Sequence, residues 1–269
     1  MSDAAIIAGL DAEEYHARPE VSNSQLLDLA RSPWHFWRMH RDPHRPPPKQ
    51  RAGQLEGTLA HTAILEPDAF DARYVVGPAQ HRNTKAWKEF VEDNAGRIAI
   101  QPDQYDTAMR QAEAVHALDD VGLLLVGAQR ELSAFWTDEA TGVPCRCRPD
   151  AAVQAGGGTL LFDVKTYSDA DPFEFARQVA RKAYYQQDAF YSTGFAAAIG
   201  HDVLAFTFIA VETTYPFAAS AHVLEPGARA VGMARVRRLL DQYAACARDD
   251  RWPGFGGEVH TITLPDWAN

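Results

Sequence analysis

The apolar residues of this chain switch repeatedly between helical and strand spacing, a pattern that predicts an α/β architecture. Residues 21–31 (VSNSQLLDLAR) open on Ser and Asn caps and predict a short helix that stops at Ser32-Pro33. QLEGTLAHTAILEP predicts a second helix closed by Pro67, with Leu55, Leu59, Thr62 and Leu65 near one stripe and His61 beside it. DARYVVGP reads as a strand, His81–Lys85 as a polar loop, TKAWKEFVEDNAG as a charged helix, and Pro102 to Val126 as one longer amphipathic helix. RELSAFWTDEATGVPCRCRPD alternates as two strands about a turn at Asp138–Gly142. From Asp171-Pro172 helical spacing continues to Gly200 as one long helix, and HDVLAFTFIAVETTYP is an apolar strand of the kind found inside a sheet. ARAVGMARVRRLLDQYAACARDD predicts a closing helix, and the tail WPGFGGEVHTITLPDWAN a loop with a short strand. With no repeat or low-complexity linker, the expectation is one domain over 1–269, an N-terminal helix and basic arm (1–53) leading into a core (54–269).

The chemistry-bearing stretch is Cys145 to Thr166, CRCRPDAAVQAGGGTLLFDVKT. Alternation in VPCRCRPDAAV, a Gly156-Gly157-Gly158 turn and the run TLLFDV predict a β-hairpin that brings Asp150 and Asp163 near each other. Residues two apart on a strand share a face, so Asp163 and Lys165 point one way and Val164 the other. Two carboxylates beside an ammonium suit phosphodiester hydrolysis. A hard divalent ion takes oxygen ligands from carboxylates and substrate phosphate, and an ammonium can orient water or steady negative charge. The motif is short, and the same residues can equally make a surface salt bridge worth roughly 0–1 kcal/mol. Glu131 opens the preceding strand, either facing the same site as Asp150 or standing as an exposed strand-edge acid. Gln187 and Tyr191, four apart on the following helix with Tyr184 one turn earlier, share a face from which an amide and a phenol can hold a phosphate or orient Lys165. By periodicity alone His61 reads as a core or capping residue more readily than as a ligand.

Composition narrows the setting. At 269 residues, 46% hydrophobic and 23% charged, the chain has ordinary globular proportions. No stretch approaches the roughly 20 apolar residues of a membrane span, and MSDAAIIAGLDAEEYH lacks a signal-peptide pattern, so the expected compartment is the cytoplasm, with no membrane partner. Cys145, Cys147 and Cys246 are too few for a disulfide framework and wrongly spaced for zinc or an iron–sulfur cluster; the first two read as same-face strand residues. A net charge of −10 argues against a nonspecific nucleic-acid coat. Locally, however, Arg31 to Arg51 carries six Lys/Arg and three His against one Asp, interleaved with Trp34, Phe36 and Trp37. Such a stretch either tracks a phosphate backbone or forms a proline-rich surface arm whose aromatics dock into the core.

The combination R-P-D, D-V-K-T and Q-D-A-F-Y resembles the PD-(D/E)xK nuclease superfamily in its RecB-like branch. More closely, SNSQLLDLARSPWHFW, GTLAHTAILEP, FWTDEATGVPCRCRPD and WPGFG…LPDW resemble the exonuclease VIII family of the RecE type, from about residue 15 onward. The resemblance implies an α/β restriction-endonuclease-like core with a central mixed β-sheet flanked by α-helices. It implies that His61, Asp150, Asp163 and the Val164 carbonyl hold Mg²⁺ or Mn²⁺, that Lys165 is the catalytic lysine, and that Gln187 and Tyr191 form the motif on the adjoining helix, with Glu131 a less certain addition. It further implies a 5′-to-3′ exonuclease on double-stranded DNA ends, a tetrameric ring, and service in phage-type homologous recombination beside a single-strand annealing protein. Some members of that family carry long N-terminal extensions, and against them the expectation here is the nuclease domain alone. Other readings are a structure-specific or single-strand nuclease on the same core, and a noncatalytic DNA-end-binding protein.

Overall fold

A computed structural model describes residues 4–47 and 52–264. Strand β1 (Ala5–Ile7) and helix α1 (Ala12–Ala17) lead into α2 (Asn23–Arg31), where Ser22 and Gln25 form a reciprocal capping box. Ser32 ends α2 and caps α3 (Pro33–His40), whose Pro33 occupies the first turn. The basic arm therefore begins as a helix. Phe36 is fully buried, and Trp34 stacks on Trp37 with ring centroids 5.8 Å apart. Its last residues, 48–51, lie outside those described.

Next come α4 (Gln54–Leu65), α5 (Pro67–Arg73), β2 (Tyr74–Val76), α6 (Lys85–Asp93) and β3 (Ile98–Ile100), with β2 and β3 paired in parallel. Pro67 thus starts a helix as well as closing one, and the expected strand DARYVVGP is helix up to Arg73. The single helix expected from Pro102 to Val126 is two, α7 (Pro102–His116) and α8 (Asp119–Val126). The turn between them folds back so tightly that a Cβ at Gly122 would sit 2.2 Å from the His116 carbonyl oxygen. Asp119 and Asp120 favour the new helix N-terminus.

The strands β4 (Gln129–Arg130), β5 (Ser133–Thr137), β6 (Pro144–Cys147), β7 (Ala151–Ala155) and β8 (Gly158–Tyr167) follow. β5 and β6 make the expected hairpin, extended by β1 into a three-stranded sheet. The alternating run VPCRCRPDAAV is not one strand, however. β6 ends at Cys147, and after Arg148-Pro149-Asp150 the chain enters a second sheet as β7. Pro149 has no N–H to give a ladder, which suits this break. The predicted hairpin is β7–β8, turning at Gly156 and Gly157, both at positive φ.

Helices α9 (Pro172–Lys182) and α10 (Tyr184–Ile199) replace the one long helix expected there; Ala183 separates them with a left-handed backbone, φ 54°. β9 (Val203–Glu212), β10 (Ala219–Val223) and α11 (Pro226–Asp249) complete the elements. The expected tail strand is not found among the described residues, and 265–269, which hold most of LPDW, lie outside them.

The main sheet has the order β10-β9-β8-β7-β4; β8 and β9 run parallel, joined through α9 and α10, and the other neighbours are antiparallel. Period-two alternation assigns its two faces. Leu161, Phe206 and Phe208 pack with residues of α2, α10 and α11, whereas Phe162, Val164, Ile209 and Val211 pack with residues of α4 and α7. This is a mixed sheet flanked by helices, with the D-x-K sequence on its central strand.

Candidate active site

β8 puts Asp163 and Lys165 on the face that carries Leu161, toward α10. Lys165 Nζ donates to both Asp163 oxygens, at 2.6 and 2.8 Å, and lies 4.9 Å from the centre of the Tyr184 ring. From α10, Gln187 Nε2 reaches the same two oxygens at 2.9 Å each. Asp163 is nearly closed off from solvent, so its charge is compensated locally by one ammonium and one amide.

Asp150 stands in the break just before β7. Its Oδ2 accepts the backbone N–H of Val164 at 2.7 Å, so the carboxylate occupies a place that a ladder carbonyl would otherwise fill. Burial and the neighbouring Asp163 charge push its pKa up to about 6, against the opposing pull of His61, Lys165 and the Val164 N–H. Burial works against the Lys165 ammonium, but the carboxylates of Asp163 and Asp150 outweigh it and its pKa is raised. At neutral pH Lys165 is therefore a proton donor, not a base.

The helix α4 buries Leu59, Ala60, Ala63 and Ile64 against the sheet and leaves His61 partly exposed, with Nδ1 3.5 Å from Asp150 Oδ2. The structure does not bury His61 in the apolar core. It lines a cavity of about 750 Å³ together with Gly57, Arg73, Arg130 and Glu131. Glu131 does not begin a strand as expected: it lies between β4 and β5 at φ 52°, its N–H directed to the Asp150 carbonyl at 3.3 Å and its carboxylate paired with Arg148 at 2.9 Å. Tyr191, one turn beyond Gln187, packs edge-on to Phe206 at 5.6 Å, and burial drives its phenol pKa well above the ordinary value.

Among the described residues, no three His, Cys, Asp or Glu side chains already form a closed metal cage. The donors come as the His61–Asp150 pair and, on the next strand, Asp163. Their chemistry fits a hard divalent ion nevertheless. Asp150 has lone pairs beyond the one that the Val164 N–H uses, whereas both Asp163 oxygens are taken up by Lys165 and Gln187, so a cation there would displace one of those contacts; the Asp163 charge that raises the Asp150 pKa is a repulsion that a cation would cancel.

A second polar cavity, of about 390 Å³, was legible in the sequence only in part. His40, Arg41 and Arg45 of the basic arm meet His16, Arg18 and Arg146 around it. Arg146 is buried and donates from Nη1 to the Arg18 and Glu20 carbonyls. Its sequence signals were the basic stretch Arg31–Arg51, which supplies His40, Arg41 and Arg45, and Arg146 in CRCR; their meeting with His16 and Arg18 is a tertiary fact. In the same tract, the buried cysteines are thiols with raised pKa, packed in the core as same-face residues.

A mixed sheet with an acid at the end of a break, D-x-K on the central strand and a glutamine on the covering helix defines a PDDEXK-like domain. The chain belongs to the family described as a PDDEXK-like domain of unknown function (DUF3799), whose model matches residues 22–265. No curated protein matches it. Among solved structures, one described as "Putative exonuclease" from Eubacterium rectale superposes over 95% of this chain and 96% of its own with a TM-score of 0.56, at 12% identity, which speaks for the fold. A second, SSO0001, overlaps 71% of this chain and 88% of its own at 13% identity; its TM-score of 0.31 carries no argument. Among the described residues no helix is long and apolar enough to cross a membrane.

Proposed function

We propose that this protein is a metal-dependent deoxyribonuclease that degrades double-stranded DNA from its ends, 5′ to 3′, in phage-type homologous recombination. The observation that carries the hydrolytic part is the convergence of Lys165 and Gln187 on Asp163, next to Asp150 and His61. His61, Asp150, Asp163 and the Val164 carbonyl would hold Mg²⁺ or Mn²⁺. A divalent ion in such a site lowers the pKa of bound water and neutralises phosphate charge. Gln187 fixes the Asp163 carboxylate. Lys165, held as an ammonium, orients the attacking water or donates to the phosphate oxygens as negative charge grows. Tyr191, one turn beyond Gln187, anchors α10 on Phe206 of the sheet, and Glu131 acts through Arg148 at the cavity rim.

Direction, end preference and assembly rest on the resemblance, supported by charge. The basic cavity of Arg18, Arg41, Arg45 and Arg146 offers a place for backbone phosphate on a chain of net charge −10. A closed homotetramer working in the cytoplasm beside an annealing protein would hold DNA despite that charge, because enclosed DNA leaves only by an end. Light scattering at several protein concentrations tests the ring, and a stable monomer refutes it.

The test of function is incubation with linear and covalently closed circular duplex DNA, in Mg²⁺ or EDTA, with the 5′ or the 3′ end labelled. Loss of linear DNA alone, in Mg²⁺ and from the 5′ end, is the expected result. Cutting of the circle makes the protein an endonuclease, and retention of DNA without cleavage makes it an end-binding protein.

A further inference from the structure

We propose that Arg130 is the residue that grips the scissile phosphodiester from the His61 side of the site, an inference that rests on the nuclease reading above. Arg130 lines the same cavity as His61. The short strand β4 places it: Arg130 pairs with Ala151, the residue immediately after Asp150, and the next residue, Glu131, directs its N–H to the Asp150 carbonyl. Directly opposed residues of an antiparallel pair share a face, and Ala151 is buried in the cluster that α4 and α7 complete. Arg130 is therefore directed toward the α4 side of the sheet, where His61 stands.

Its state of pairing separates it from the other guanidiniums nearby. Arg73 makes two hydrogen bonds to the Glu66 carboxylate, at 2.8 and 2.6 Å, and Arg148 is held by Glu131 and Ser133. Among the described residues, no carboxylate pairs with Arg130, and its Nε is buried without a hydrogen-bond partner. A buried donor left without a partner costs about 1–3 kcal/mol, so a position that keeps one needs a reason. The guanidinium that Arg130 brings to the cavity lining, with no carboxylate partner, would take a phosphate oxygen there as its acceptor. The planar guanidinium matches two non-bridging oxygens of a phosphodiester, and its charge offsets the negative charge that grows there when water attacks.

The experiment compares wild type, Arg130→Ala and Arg130→Lys in single-turnover cleavage of linear duplex DNA, with Mn²⁺ affinity, melting temperature and DNA affinity in EDTA measured on the same preparations. Arg130→Ala should cleave about a hundredfold more slowly, with Mn²⁺ affinity and melting temperature unchanged. Arg130→Lys should recover only part of the rate, and added guanidinium at concentrations that leave the fold intact should accelerate Arg130→Ala and not wild type. DNA affinity in EDTA should weaken several-fold, with the salt slope reduced by about one. Cleavage by Arg130→Ala within twofold of wild type overturns the assignment while leaving the nuclease reading intact. A slow variant that guanidinium does not rescue and that melts earlier overturns it too. Should wild type itself not cleave, the nuclease reading fails, and unchanged DNA affinity and salt slope in Arg130→Ala then refute the phosphate contact separately.

Discussion

Gln187 Nε2 sits 2.9 Å from each carboxylate oxygen of Asp163, so a single amide on α10 fixes the orientation of the acid on the central strand. Because Lys165 binds the same two oxygens, removing the amide leaves the carboxylate free to rotate about its remaining partner. Gln187→Ala should lower cleavage about 10–100-fold, the usual cost of losing a group that orients a metal ligand. Mn²⁺ titration calorimetry alongside cleavage rates checks this: weaker binding and slower turnover are expected together, with secondary structure unchanged by circular dichroism.

The Asp150 pKa of about 6 makes metal-free stability depend on pH. A carboxyl raised above its ordinary value holds its proton more tightly in the folded than in the unfolded chain. Its contribution therefore favours folding at low pH and is lost as pH rises through about 6. In EDTA, wild type should lose stability relative to Asp150→Asn as pH rises from about 4, the ordinary carboxyl value, to about 6, with little further change above, and the gap should close only below about pH 4. Mn²⁺ affinity of wild type should run the other way, strengthening as pH rises through 6, because the ion competes with the proton. Melting curves of both proteins across this range, with and without Mn²⁺, provide the check.

What could be read in the sequence, and what could not, divides along physical lines. The same-face relation of Asp163 and Lys165 follows from strand geometry alone, and the structure has it. His61 sits on the helix that its spacing predicts, but its place beside Asp150 is a tertiary fact that periodicity cannot supply; only the resemblance pointed there. Unbroken alternation hides the break at Arg148-Pro149-Asp150, and Pro149 is its one local signal. The break between α9 and α10 had no such marker, since Ala183 is a good helix former held in a left-handed conformation by its surroundings. Arg130 carries no periodic signal, because a two-residue strand has too few positions to show one.

Gly194 on α10 is required by packing and not by backbone conformation. A Cβ there would lie 2.2 Å from the Trp136 ring, which is itself buried against Phe190. Gly194→Ala should destabilise the fold by roughly 1–3 kcal/mol, the usual range for overpacking, even though alanine is the better helix former. Urea denaturation measures it, and a stability equal to or above wild type would show that Trp136 can move aside without cost.

The account turns on Asp163 holding the metal and Lys165 acting on the reaction. The most direct measurement sets cleavage of linear duplex DNA beside Mn²⁺ calorimetry for wild type, Asp163→Ala and Lys165→Ala. The expected result is that Asp163→Ala loses both metal binding and cleavage, whereas Lys165→Ala still binds Mn²⁺ and loses about 99% of its turnover, as when one preorganised donor is removed. Wild-type cleavage by either variant would contradict the account.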